Sequence, residues 1–170
     1  MGSKLAIAML TASTLTPAWA SPLHAQRRLV PVMVVPPLTA VAVNDLSFGT
    51  VLPGIAVSVS TSDPRHSGQF EVLGPAGASV RVEFALPSAL LSYQGALLPV
   101  SFGSGDGFAD FSHGIPPRGL VFNPHSPVIG ALGPNGRLVL RLGGTVNPGP
   151  TQAGGDYSAT ISMTVYNLGS

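Results

Sequence analysis

The sequence predicts an all-β fold, an antiparallel β-sandwich, and three observations lead to that prediction. Only 9% of the 170 residues are charged, whereas 21 glycines and 17 prolines supply frequent turn and strand-end signals. Several segments alternate strictly between apolar and polar residues, which is the period of a strand with one buried face. Turn signals recur about every dozen residues, and that spacing favours a sandwich over a barrel. No helix is predicted beyond the N-terminal leader.

The clearest alternation lies near the C-terminus, in residues 156–167. One parity is apolar and the other is hydroxylic, a regularity that a helix, with apolar positions three and four apart, would not give. We therefore expect a strand with one face in the core and one in water. The apolar set is Tyr157, Ala159, Ile161, Met163 and Val165, and the polar set is Ser158, Thr160, Ser162 and Thr164.

Two further segments show nearly the same alternation, one centred on Val82 and one on Leu140. The turn that precedes the second segment contains Asn135-Gly136, a pair suited to a tight hairpin. Gln94-Gly95 separates two apolar runs and predicts a second hairpin. The other predicted strands occupy residues 38–43, 46–51, 55–59 and 70–72, with a short edge strand at 120–122 in an otherwise irregular region, 103–127.

The first 20 residues have the features of a secretory signal peptide. Lys4 supplies the positive start, residues 5–15 form an apolar run, and Ala18-Trp19-Ala20 is an A-x-A cleavage site, with a second possible site after Ala25. No later segment offers about 18 uninterrupted apolar residues, so no transmembrane helix is expected in the mature chain. The predicted organisation is a signal peptide (1–20), an apolar N-terminal arm (21–37) and one sandwich domain (38–170). Export to the periplasm, the cell surface or an extracellular fibre follows from the leader.

Composition excludes several classes of function. The chain has no cysteine, so it has no disulfide, thiolate metal site or cysteine nucleophile. Lys4 is the only lysine and leaves with the leader, after which seven arginines balance seven acidic residues. A neutral mature chain has no basic patch for a phosphate backbone, so nucleic acid is not an expected partner.

The arm allows two interpretations. Residues 29–35 are almost wholly apolar, although prolines stand at 31, 36 and 37. This segment is either the first buried strand of the domain itself or a detachable strand intended for another subunit.

Residues capable of catalysis or metal binding are sparse and do not form a recognised pattern. No two of the histidines, which are His24, His66, His113 and His125, have the spacing that places two metal ligands on one element. Asp106 and Asp110 supply only part of a calcium site. Hydrogen-bonded or ion-paired surface carboxylates explain Glu71 and Glu83 at least as well as a glycosidase pair does. No G-x-S-x-G motif occurs. We predict no enzyme, cofactor or metal; a hydrolase would have to depend on His113 or Asp110.

Four separated blocks of the sequence resemble an exported bacterial family, domain of unknown function 4402. That family is similar in layout to spore coat protein U and to the archaic chaperone–usher pilin domains. The resemblance covers roughly residues 38–167 and consists of turn glycines and core alternation. The blocks are Asp45–Gly49 with Pro53-Gly54, Phe70–Gly74 with Gly77, Leu140–Thr145, and Gly155–Ala159 with Thr164–Asn167.

The resemblance implies an immunoglobulin-like (pilin-like) antiparallel β-sandwich. Pilins of this kind lack one strand, and the N-terminal arm of a neighbour completes the sheet. Transferred to this chain, the donor residues would be Val30, Val32 and Val34. Pro31 has no N–H to donate to a ladder, so its position would have to fall at a bulge or at a strand end.

Two functions remain open from the sequence. The first is a non-catalytic exported structural protein, a pilin-like or fimbrial subunit assembled by β-strand addition of the arm. Its partners would be other copies of itself or related subunits, with a periplasmic chaperone and an outer-membrane usher. The second is a self-contained secreted binding or adhesion domain that uses the 103–127 loop.

Overall fold

The computed structural model describes residues 37–112 and 119–169, and these residues form an all-β structure without helices. Their strands are β1 (Thr39–Asn44), β2 (Val57–Val59), β3 (Gly68–Leu73), β4 (Ser79–Ala85), β5 (Ala89–Ser92), β6 (Leu97–Ser101), β7 (Gly107–Asp110), β8 (Leu120–Phe122), β9 (Val128–Ala131), β10 (Arg137–Leu142), β11 (Gly144–Val146), β12 (Tyr157–Ser158) and β13 (Ser162–Gly169). In this part of the chain no helix is long and apolar enough to cross a membrane.

The strands form three antiparallel sheets. The first sheet has the order β1-β3-β10-β7-β8, the second β12-β5-β6-β11-β2, and the third β13-β4-β9. The Gly74–Gly77 turn, which joins the end of β3 at Leu73 to the start of β4 at Ser79, marks one end of the molecule. Thr39, the first residue of β1, pairs with Leu73 and so lies at the same end. The opposite end carries the β5–β6 turn, residues 93–96. We call these the first and second ends.

The main core lies between the first and third sheets. Alternation decides its composition, since every second residue of β4 and β10 points inward. Phe84 joins the layers by packing edge-on against Phe70, at 5.4 Å between ring centroids, and stacking near Phe122 at 6.2 Å. The fully buried members of this core are Val72, Val80, Val82, Ala109, Leu138, Leu140 and Leu142.

A second apolar cluster covers the inner face of the second sheet. Its buried members come from β6, β11 and the residue after β6, and they are Leu98, Val100, Phe102 and Val146. Leu86 and Ile161 pack against both clusters and so connect them. The chain crosses from the first sheet to the second at Gly143, where an added Cβ would lie 2.3 Å from the Val59 carbonyl oxygen. Glycine is needed there because no side chain fits.

The all-β antiparallel sandwich predicted from the sequence is confirmed. The strands around Val82 and Leu140 and the hairpin at Gln94-Gly95 occur as predicted, and 120–122 is an edge strand. Three expectations were wrong. Residues 46–51 form no strand, the C-terminal alternation is broken into β12 and β13, and the region 103–127 contains β7 in addition to β8.

The turn before β10 gives a stability prediction. Gly136 has φ +69, and an added Cβ would lie 2.1 Å from the Gly74 carbonyl oxygen. Gly136→Ala should lower the free energy of unfolding by about 2–3 kcal/mol, through backbone strain and steric overlap together. Urea denaturation of the variant measures this cost.

Gly95→Ala is the matched control for that prediction. Gly95 has φ +83, but nothing lies within 4 Å of an added Cβ. The free energy of unfolding of this variant should therefore fall only by the cost of backbone strain, about 1 kcal/mol. Equal losses in the two variants would show that overlap with Gly74 contributes nothing.

Candidate functional site: an open groove beside the first and last strands

The first strand leaves the core beneath it uncovered. Ala40 and Ala42 pair with the inward-facing Val72 and Phe70 of β3, so they share the inward face of the first sheet. Inward residues of a closed sandwich are buried, yet all six residues of β1 are exposed. No strand pairs with the outer edge of β1 among the described residues. The inner face of the sheet is therefore open along this edge.

The last strand shows the same lack of cover. β13 pairs only with β4 in the described residues, and its inward side chains Met163 and Val165 are half-buried. They pack against the main core but remain partly exposed to solvent. Between β12 and β13, residues 159–161 belong to no strand. The first and the last strand of the sandwich thus each have one edge without a ladder partner among the described residues.

Toward the second end lies a groove of about 870 Å³. One wall consists of the end of β1 and the segment after it, within residues 42–53, and the other is residues 152–161. Its floor comes from the second apolar cluster and from β3, namely Phe70, Leu90, Leu98, Val100 and Phe102. An apolar floor between two walls, each containing an edge strand with one unpaired side among the described residues, is the shape of an acceptor for an extended chain.

The second wall is held in place by a short hydrogen-bond relay. The Gln152 side-chain amide donates to the Leu97 carbonyl at 3.0 Å and to the Tyr157 hydroxyl at 2.7 Å. That hydroxyl donates in turn to the Ala153 carbonyl, also at 2.7 Å. The wall is thereby tied to β6 without a neighbouring strand on its groove side.

The groove has an acidic rim. Among the described residues, the charged ones that line it are Asp45, directly after β1, and Asp156, directly before β12. Both are exposed, and they belong to opposite walls. No arginine of the described residues lines the groove.

The donor residues predicted from the sequence, Val30, Val32 and Val34, lie outside the described residues, as does nearly all of the arm. Of the histidines, His24 and His113 also lie outside them. His125 is in a loop, where its Nε2 lies 3.1 Å from the Phe102 carbonyl oxygen. In the described ranges no three His, Asp or Glu side chains come together as metal ligands.

His66 forms a local pair with Asp63. Its Nδ1 lies 2.8 Å from Asp63 Oδ2, while the backbone N–H groups of Arg65 and His66 donate to Oδ1 at 2.9 and 3.2 Å. The Arg65 N–H contributes most to holding the pKa of the Asp63 carboxyl below its ordinary value, followed by the His66 side chain. These contacts fix the loop between β2 and β3.

The Asp63 contacts predict an acid sensitivity. Because the carboxyl pKa is lower in the folded state, its contribution to stability is present above the unfolded pKa, about 3.9, and is lost as pH falls through the folded value. Asp63→Asn keeps a side-chain oxygen that accepts from the backbone N–H groups, but it cannot titrate. The loss of stability below about pH 4 that is due to Asp63 should therefore disappear in the variant. Thermal unfolding of both proteins across acidic pH measures it, and superimposable profiles would contradict the assignment.

The remaining carboxylates have structural partners. Glu71 is buried and ion-paired with Arg137, and Glu83 pairs with Arg81. Asp106 Oδ2 accepts the Gly103 N–H at 2.6 Å and closes a turn. Asp110 is buried and accepts a hydrogen bond from the Ser112 hydroxyl at 2.7 Å. These contacts account for the carboxylates by folding alone.

Sequence reasoning did not identify the groove. Residues 46–51 contribute Leu46, Phe48 and Val51 to its wall, but their apolar pattern resembles that of a paired strand. One sequence feature points to the groove. The long C-terminal alternation predicts a strand, but Gly154-Gly155 at its start favours a turn.

Two comparisons with known proteins gave no match. No protein-family model matches the chain, and no curated protein matches it.

Proposed function

We propose that this chain is a non-catalytic exported structural protein, a pilin-like or fimbrial subunit of immunoglobulin-like type. Copies assemble when the N-terminal arm of one copy adds as a β-strand to the groove of the next. The sequence resemblance described above supports this proposal, and the leader supports export. In this proposal a periplasmic chaperone covers the groove before assembly and an outer-membrane usher passes subunits outward.

The observation that carries the proposal is the groove between residues 42–53 and residues 152–161, which lies beside β1 and leads to the start of β13. Inward positions on both strands, Ala40 and Ala42 on one side and Met163 and Val165 on the other, lack the cover that a sandwich normally gives. Burial of apolar surface is the main driving force for association, at about 25 cal/mol per Å². A strand inserted in the groove would bury its apolar floor and give the free edge of β1 a ladder partner.

The arm has the length and parity for this role. Residues 29–35, fully extended, span about 23 Å at 3.3 Å per residue, comparable with β13, which has eight residues. Val30, Val32 and Val34 share one parity, so all three point to the same face of an extended strand. That face would meet the apolar floor.

Pro31 can be accommodated by the break in the second wall. Residues 159–161 lie between β12 and β13 and take part in no ladder. A donor residue opposite this break has no partner carbonyl to satisfy, so a missing N–H costs little there.

A neighbouring copy is favoured over the chain's own domain as the acceptor. β1 begins at Thr39, so an arm that folded back into its own groove would have to reverse direction within residues 36–38. Pro36-Pro37 restricts φ at two successive positions and disfavours the helical region at each preceding residue, which opposes a tight reversal. In the alternative, a binding domain that uses 103–127, the β7–β8 pair would carry the binding loop.

Denaturing gel electrophoresis of the mature protein, residues 21–170, tests the proposal. Strand exchange gives polymers that dissociate slowly, so a ladder should appear in the unboiled lane and collapse to monomer on boiling. Deletion of residues 21–36 should remove the ladder. A single monomer band in the unboiled lane, from protein that unfolds cooperatively, would overturn the proposal; so would an unchanged ladder in the deletion variant.

A further inference from the structure

The charges of the mature chain are divided unequally between arm and domain. All seven acidic residues lie in 38–170, where five arginines accompany them, whereas the arm carries Arg27 and Arg28 and no acidic residue. The domain therefore has a formal charge of −2 and the arm of +2, with histidines neutral. The neutral total conceals two segments of opposite charge.

The unpaired negative charge of the domain is located at the groove. Five of the seven carboxylates are paired or hydrogen-bonded, as described above. Within the described ranges, only Asp45 and Asp156 have neither a hydrogen bond nor an ion pair for their side chains. Both line the groove, one on each wall. Folding does not account for these two carboxylates.

We propose that Asp45 is the recognition residue for the arm of a neighbouring copy, and that it pairs with Arg27 or Arg28. The inference rests on the proposed function, because it takes the arm as the occupant of the groove. The inference adds two points to the proposed function: the negative charge of Asp45 selects this arm, and the arm lies in the groove in one direction.

The direction follows from where the arm leaves each copy. Thr39 is at the first end, so the arm, which precedes residue 38, departs from that end. In a head-to-tail chain of copies the first end of one faces the second end of the next. The C-terminal part of the arm then enters the groove at the second end, and its N-terminal part reaches toward the middle of the molecule. The arm lies parallel to β1 and antiparallel to β13.

This direction brings the arginines to Asp45. Seven residues separate Val35 from Arg28, and seven separate Leu52, near the second end, from Asp45. An extended arm that enters beside Leu52 covers about 23 Å from Val35 to Arg28, so it reaches at least as far as Asp45, because residues 46–51 form no strand and span less. Asp156, at the second end, would meet the uncharged residues that follow Val35. Substitutions of the two aspartates can therefore distinguish the two possible directions of the arm in the groove.

The test compares Asp45→Asn with Asp156→Asn in the mature chain. Assembly is started by dilution from denaturant and followed on unboiled gels, in about 10 mM and about 150 mM salt, where the Debye length is about 30 Å and about 8 Å. Asp45→Asn should slow assembly by about three- to tenfold at low salt and remove most of the salt dependence. Asp156→Asn should stay within about twofold of the wild type. Thermal unfolding checks that both variants fold.

A charge reversal gives the second test. Asp45→Arg alone should assemble poorly because it repels the arm, and combining it with Arg27→Asp and Arg28→Asp in one chain should restore assembly. Polymers that form in Asp45→Asn at the wild-type rate and with the wild-type salt response would overturn this inference and leave the proposed function intact. A slow Asp156→Asn beside a normal Asp45→Asn would overturn the direction. A wild type that forms no polymer would overturn both proposals.

Discussion

Tryptophan in place of Ala42 is expected to abolish polymer formation while the monomer stays folded. Ala42 lies on the inward face of β1, is exposed, and lines the groove. A tryptophan there would fill the space that the donor strand needs and would pack on the apolar floor. Loss of the docked strand removes several kcal/mol of association free energy, so polymer on an unboiled gel should fall by about 100-fold or more.

Val41→Trp is the matched control. Val41 is the adjacent residue on the same strand, but its side chain points to the opposite face and is 42% exposed. The same bulk is added one residue away, outside the groove, and assembly should be retained. Equal loss in both variants would mean that β1 itself is disturbed. Retention in both would mean that assembly does not use this groove.

Local pattern predicts which face of a strand is inward, but not whether another strand covers that face. The alternation at Met163 and Val165 correctly marks the inward side of β13, yet both side chains are only half-buried. The depth of burial depends on a neighbour, and that neighbour is not specified by the strand's own residues. The groove exists because edge strands have no ladder partner on one side, and no sequence motif predicts that.

The strand predictions failed where pairing or packing overrode local preference. Residues 46–51 have the apolar content of a strand but pair with no strand of the described residues, and they pack as irregular chain through Leu46 and Phe48. β9 was missed because Gly130 looks like a turn residue. In the structure Gly130 faces the Phe111 ring, and an added Cβ would lie 2.2 Å from it. The ring occupies the place of the side chain, which only the tertiary structure reveals.

The second large effect is expected from Leu140→Ala. Leu140 is completely buried in β10, between Phe70 of β3 and Ala109 of β7, and it belongs to the main core. Truncation removes the burial of three carbons and leaves a cavity, at a cost of about 3–5 kcal/mol. Domains of this size are stable by about 5–15 kcal/mol, so the variant should lose a large fraction of its stability.

This loss has to be measured without interference from assembly. A bound neighbour stabilises the folded state by mass action, so Leu140→Ala is best compared with its parent in the non-assembling Ala42→Trp background. Urea denaturation gives both free energies of unfolding, and Leu91→Ala, on a side chain that is 52% exposed, should cost no more than about 0.5 kcal/mol.

If Leu140→Ala cost as little as Leu91→Ala, the main core would not be closed in the monomer. The first and third sheets would then depend on the inserted strand for their packing. A full cost in the unfilled background means that the sandwich is folded before it receives a partner, so the groove is a site on a stable domain.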